Sequence, residues 1–158
     1  MTKNIELLRT TLEKNGFTVK NNEPLSKHTT WKIGGPAELF VHTKNSSELE
    51  KVTKFSKQYE VPLTILGWGS NVLISDKGLL GLVIKNSSNT LTILDETNED
   101  IVVGRNIEAR LESVDKEGYY DFNDLDYDES GEPIIKVRVE SGVYVPYLIN
   151  VLIDKGIT

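Results

Sequence analysis

The stretch Leu66-Gly67-Trp68-Gly69-Ser70-Asn71-Val72-Leu73 has the residue types of a loop that holds phosphate. Two glycines one residue apart let the backbone turn sharply and approach a ligand with no Cβ in the way. Successive main-chain N–H groups in such a turn form a nest for phosphate oxygens. Ser70 and Asn71 add side-chain donors, so a pyrophosphate can be held with no lysine. Two other phosphate loops are excluded by residue type: no Gly-Lys-Ser/Thr opens a helix, and a G-x-G-x-x-G fingerprint fails for want of its third glycine. Taken alone, the loop equally serves as a tight turn without a ligand. A second segment, Thr29-Thr30-Trp31-Lys32-Ile33-Gly34-Gly35-Pro36-Ala37, is a turn signal leading into a strand.

Other chemistry is sparse. The chain has no cysteine, which removes thiolate catalysis, thiolate metal sites and disulfides. Asp124, Asp126 and Asp128 have the spacing that opens an EF-hand loop. However, Glu129 stands where that loop needs glycine and Ile135 where it needs glutamate. Strand alternation would put the three carboxylates on one face, as a solvated edge that resists aggregation. No metal site is expected. His28, His42, Ser70 and Asp76 have no partner legible in the sequence and read as structural or solvent-facing, so no catalytic residue is assigned.

The elements that must position these loops follow from periodicity. Ile5, Leu7, Leu8 and Leu12 form a helical stripe over 4–14, stopped at Gly16. Residues 19–31 read as irregular. Residues 37–43 read as a strand with Leu39 and Val41 on one side and Phe40 and His42 on the other. Ser46 or Ser47 then caps a helix to about Tyr59, with Ser47 and Glu50 as a capping box and Leu49, Val52 and Phe55 as its apolar face. Leu63 to Leu66 is a strand, giving a right-handed β-α-β crossover. Residues 72–75 and 82–85 read as strands about a turn at 76–78, and 91–94 with 101–103 as a hairpin. Residues 128–133 read as a turn, 134–140 as a strand and 147–155 as a helix stopped at Gly156. The fold class is α+β.

At 158 residues, with 38% hydrophobic and 27% charged side chains, the chain suits one domain with a core of its own. Its net charge of −6 is uneven. Between Asp95 and Glu132 there are 14 acidic and 3 basic residues, so the remainder is mildly basic. That balance suits an anionic small molecule and disfavours nucleic acid. The charged N-terminus lacks the apolar core of a signal peptide, and no apolar run can span a bilayer, so a cytoplasmic location is expected.

Together, T-T-x-K-I-G-G-P-A-E and L-G-x-G-S-N-x-L-I-S-D-x-G-x-x-G-L-V-I-K resemble the start of the UDP-N-acetylenolpyruvoylglucosamine reductase family. The match runs over residues 26–85 and resumes at Val139-Glu140-Ser141-Gly142-Val143 and the helix after it. The resemblance implies the FAD-binding fold of the vanillyl-alcohol-oxidase (PCMH) type: two small α+β subdomains, the second incomplete here. Residues 1–25 would be a lead-in, and 26–158 the flavin domain with an acidic insertion at 95–132. Leu66, Gly67, Trp68, Gly69, Ser70, Asn71 and Leu73 would hold the FAD pyrophosphate, with Ile33, Gly34 and Gly35 close to the cofactor. The implied reaction passes hydride from NADPH to FAD and then to the enolpyruvyl group of a UDP-sugar. The family's later Gly-rich segment, active-site arginine, proton-donating serine and essential glutamate have no counterparts here. The expectation is therefore a fragment without its catalytic half: inactive alone, weak in flavin affinity and prone to associate, with UDP-sugar binding only if that half is supplied. The alternatives are another flavoenzyme of the same fold, or a non-catalytic interaction domain.

Overall fold

The computed structural model describes residues 3–94, 100–102 and 136–157. The aspartate series at 124–128, the turn at 128–133 and nearly all of the acidic segment lie outside them.

The chain is mixed α+β. Helix α1 (Lys3–Lys14) buries Ile5, Leu8 and Leu12, the stripe its spacing predicts. Strand β1 (Val19–Pro24) then pairs antiparallel with β2 (Pro36–Thr43), from Val19 opposite Val41 to Pro24 opposite Pro36. This corrects the irregular reading of 19–31. Val-Lys-Asn-Asn-Glu-Pro has no apolar alternation, and β1 is an edge strand whose order comes from the ladder on β2. A 3-10 turn at Leu25–Lys27 follows.

Strand β2 is buried on both faces. Leu39 and Val41 pack with α1, while Ala37 and Phe40 join a second cluster on the other face. Helix α2 (Ser46–Gln58) follows, capped not by a serine but by Asn45, whose Oδ1 accepts from Glu48 N at 2.9 Å. Glu48 reaches back to accept from Lys44 N at 2.7 Å. The box of the sequence reading is thus present in kind but shifted two residues towards the N-terminus. Asn45 takes the cap because its backbone is extended and its short amide reaches the first turn. Val52 is buried on the inner face, with Leu49 and Phe55 partly so.

Strands β3 (Leu63–Leu66) and β4 (Leu79–Asn86) complete a sheet of order β1-β2-β4-β3. The crossover through α2 is present, with β4 inserted parallel between β2 and β3. Residues 72–75 are not a strand. Their main chain crosses Gly34–Gly35 and is tied there by Gly35 N donating to Ser75 O at 2.9 Å, while β4 has both ladders occupied by β2 and β3. The turn after them is as expected, with Gly78 N donating to Ser75 O.

A second sheet has the order β6-β5-β7, all antiparallel: β5 (Leu91–Leu94), β6 (Asp100–Val102) and β7 (Lys136–Val139). Helix α3 (Val145–Asp154) buries Tyr147 and Val151 in a small cluster with Leu91 and Val143. It begins two residues before its predicted start, because Pro146 is suited to a first helical turn.

Candidate functional site

The parallel strands β2, β4 and β3 all end at one edge, at Thr43, Asn86 and Leu66. Open α/β sheets bind ligands in the crevice beyond the carboxyl ends of their strands. Three loops of this chain meet there: 67–71, 86–90 and 140–144.

The Gly-rich loop is held from below and from both sides. Leu66 is 3% exposed and sits among Leu25, Phe40, Ile74 and Val83. Its side chain is thus an anchor, leaving only its main chain for a ligand. Gly69 has φ +74°, and a Cβ there would lie 2.2 Å from His28 O. Gly69 O accepts from Thr30 N at 3.0 Å, so the loop is stitched to the Thr29-Thr30 segment. Thr29, itself buried, donates its Oγ1 to Ile33 O at 2.8 Å and closes that segment on itself. The two motifs, 28 residues apart in sequence, are thereby one unit of structure.

Gly67 differs from Gly69. A Cβ there would meet nothing within 4 Å, and its φ lies outside the left-handed region. Among the described residues, the backbone N–H groups of Trp68 to Asn71 donate to no acceptor. Ser70 and Asn71 are exposed beside them. The loop thus has the open approach and the unclaimed donors that an anion nest needs.

Gly34 and Gly35 have a different duty. A Cβ on Gly35 would lie 2.1 Å from Asp76 O, and one on Gly34 would lie 3.2 Å from Ile74 Cβ. Both glycines let two chain segments pass in contact. Ile33 and Leu73 are exposed, at 46% and 82%.

Several positioning groups carried little signal in the sequence. Lys85, a single cation ending an apolar strand, donates Nζ to Gly67 O and lies 5.8 Å from the centre of the Trp68 ring. Burial pushes its ammonium down from the usual lysine value. Trp68 donates Nε1 to Gly142 O at 3.0 Å and packs on Tyr144 with ring centres 5.4 Å apart. Asn86 Nδ2 donates to Ser141 Oγ at 2.9 Å, and a Cβ on Gly142 would lie 2.4 Å from Ser88 O. Glu140 is a clasp between the sheets: its carboxylate accepts from Ser46 N at 2.9 Å, from Thr90 N at 2.8 Å and from Ser46 Oγ. Burial pushes the Glu140 carboxyl up, but these donors together outweigh it and hold it below the ordinary value.

His28 Nε2 lies 2.9 Å from Glu23 Oε1 and its ring stacks on Phe40. His42 Nε2 is 2.7 Å from Ser87 Oγ. Burial, then Lys44 and Lys85, push the imidazole of His42 below its usual value. Neither histidine is hydrogen-bonded to Ser70 or Asp76. Among the described residues there is no cluster of three or more His, Cys, Asp or Glu able to hold a metal ion, and no helix is long and apolar enough to cross a membrane.

No family model matches the chain. Curated proteins do, and over about half of its length they share 36–54% identity with it. A UDP-N-acetylenolpyruvoylglucosamine reductase of Lachnoclostridium phytofermentans is 54% identical over 69 residues, 44% of this chain and 22% of its own length. That of Moorella thermoacetica is 37% identical over 100 residues, 63% of this chain and 33% of its own. That of Anoxybacillus flavithermus is 49% identical over 74 residues, 47% of this chain and 24% of its own. The chain is therefore similar to UDP-N-acetylenolpyruvoylglucosamine reductases, and the matched stretch spans a third or less of their length.

Proposed function

We propose that this chain is the flavin-binding portion of an FAD-dependent reductase, with the FAD pyrophosphate on the main-chain N–H groups of Trp68 to Asn71. The observation that carries the reading is the loop itself: unclaimed donors at 68–71, an open approach over Gly67, and a rigid seat on His28–Thr30. Its place at the carboxyl ends of three parallel strands supports it. So does the likeness to reductases that act on an enolpyruvoyl UDP-sugar by name.

Under this reading the fold is the first subdomain and part of the second of a vanillyl-alcohol-oxidase-type flavin domain. Ser70 and Asn71 add side-chain donors at the pyrophosphate. Trp68, pinned by Gly142 O and Lys85, holds the loop against the second sheet. Ile33 and Leu73 offer apolar surface beside it. The bound flavin supplies hydride transfer, and the residues described here bind and orient it. Reduction of the enolpyruvyl group of a UDP-sugar by NADPH, in the cytoplasm, is the activity proposed for the whole reductase.

The test is a titration of FAD with the purified chain, read by the visible flavin band, with wild type and Gly67→Val compared. Valine at 67 fits the backbone and points into open space. The variant is expected to melt like wild type, within about 0.5 kcal/mol, and to bind FAD at least about tenfold more weakly, which is about 1.4 kcal/mol. Equal FAD binding by the two proteins would remove the pyrophosphate from this loop.

A further inference from the structure

A cleft of about 770 Å³ opens at the β1 edge of the first sheet, between the end of α1, the start of β1 and α2. Its size is that of a small-molecule site. Four lysines line it: Lys20, Lys44, Lys51 and Lys85. Glu48 is the one carboxylate among its lining residues, and it already accepts from Lys44 N in the helix cap.

Among the described residues, only Lys20 of the four lysines has a carboxylate partner. Lys20 shares Glu23 with His28. Among the described residues Lys44 and Lys51 have no ion-pair partner, and Lys85 has a carbonyl and an aromatic face but no carboxylate. A half-buried ammonium without a counter-charge is costly, and the burial that lowers the Lys85 pKa reports that cost. The carbonyls at the end of α1, which would repel an anion, are engaged: Thr11 O by Asn15 N and Nδ2, Glu13 O by Gly16 N and Leu12 O by Phe17 N. Phe17 and Phe55 are partly buried at the same cleft and offer ring surface to a planar group. His42 closes the rim against Ser87.

We infer that this cleft is a nucleotide site, taking a nucleoside diphosphate with its phosphates on Lys44, Lys51 and Lys85 and its base against Phe17 and Phe55. Lys85 also donates to Gly67 O, so the cleft adjoins the pyrophosphate loop, whereas Lys44, Lys51, Phe17 and Phe55 belong to other segments: the end of β2, α2 and the turn before β1. The diphosphate is that of a free nucleotide, since the one pyrophosphate of FAD is assigned to the Trp68–Asn71 loop.

The test is calorimetric titration of the full chain with ADP at fixed ionic strength. Lys44→Glu/Lys51→Glu is compared with wild type and with Lys57→Glu/Lys155→Glu, which changes net charge equally outside the cleft. Lys44→Gln/Lys51→Gln guards against a folding defect, and thermal melts accompany every protein. The expected result is ADP binding by wild type and the outside pair, and binding weakened at least about tenfold by both cleft pairs. FAD binding is expected to hold in both cleft pairs; an equal loss of FAD and ADP binding there would overturn the inference. No ADP binding by wild type would overturn the inference. So would equal binding by wild type and the cleft pairs, or an equal loss in the outside pair.

Discussion

At the residue scale, the two glycines of one short motif do different work. Gly69 is required by structure: its positive φ and the nearness of His28 O leave no room for a side chain. Gly69→Ala is expected to destabilise the chain by about 2 kcal/mol or more, read by denaturant unfolding, whether or not a ligand binds. Gly67 is not required by the fold, so its substitution reports on ligand approach alone. Mutating Gly69 would confuse the two effects. Glu140 carries a second residue-scale prediction. Its folded pKa lies below the ordinary 4.5, so the stability it contributes is complete above that value and is lost as pH falls through the folded pKa. Thermal melts of wild type are expected to fall on acidification below about pH 4.5, with Glu140→Gln showing a lower melting temperature at neutral pH and a shallower fall. Parallel pH curves for the two proteins would show that the clasp contributes nothing.

At the scale of elements, periodicity found what was buried and missed what was paired. Helices α1 and α2 and strands β2, β3 and β5 were legible because each shows one apolar face or one short apolar run. Strand β1 was not, because its polar side chains carry no pattern and its order resides in the hydrogen bonds of β2. Val72 and Leu73 misled in the opposite sense: although apolar, they lie exposed on a crossing segment. The cap of α2 was placed one or two residues late, at Ser46 or Ser47, because Asn45 and both serines are good capping residues and only backbone geometry distinguishes them. Asn45→Ala is expected to cost about 1 kcal/mol in unfolding free energy, against a few tenths or less for Ser47→Ala. The Gly-rich loop was legible as a loop from its spacing. Its union with Thr29-Thr30, its tether through Trp68 to Gly142 and the basic cleft were not, since each joins residues far apart in sequence.

At the scale of the whole molecule, two sheets meet through a few polar contacts, at Glu140, Asn86 and Trp68, and the candidate site lies along that seam. Large apolar side chains stand exposed around the loops, with Trp31 at 68% and Leu73 at 82%, and along α3 at Val145, Ile149 and Ile153. Such surface is expected to drive concentration-dependent association, read by sedimentation velocity and reduced in Leu73→Gln. The central claim is that main-chain N–H groups of one loop receive a flavin pyrophosphate. It is tested most directly by following the backbone amides of the isotope-labelled chain by NMR as FAD is added. The account predicts that the amides of Trp68, Gly69, Ser70 and Asn71 shift with the largest amplitude and saturate together. FAD binding that leaves those four amides unmoved, or a folded chain with no response to FAD, would contradict it.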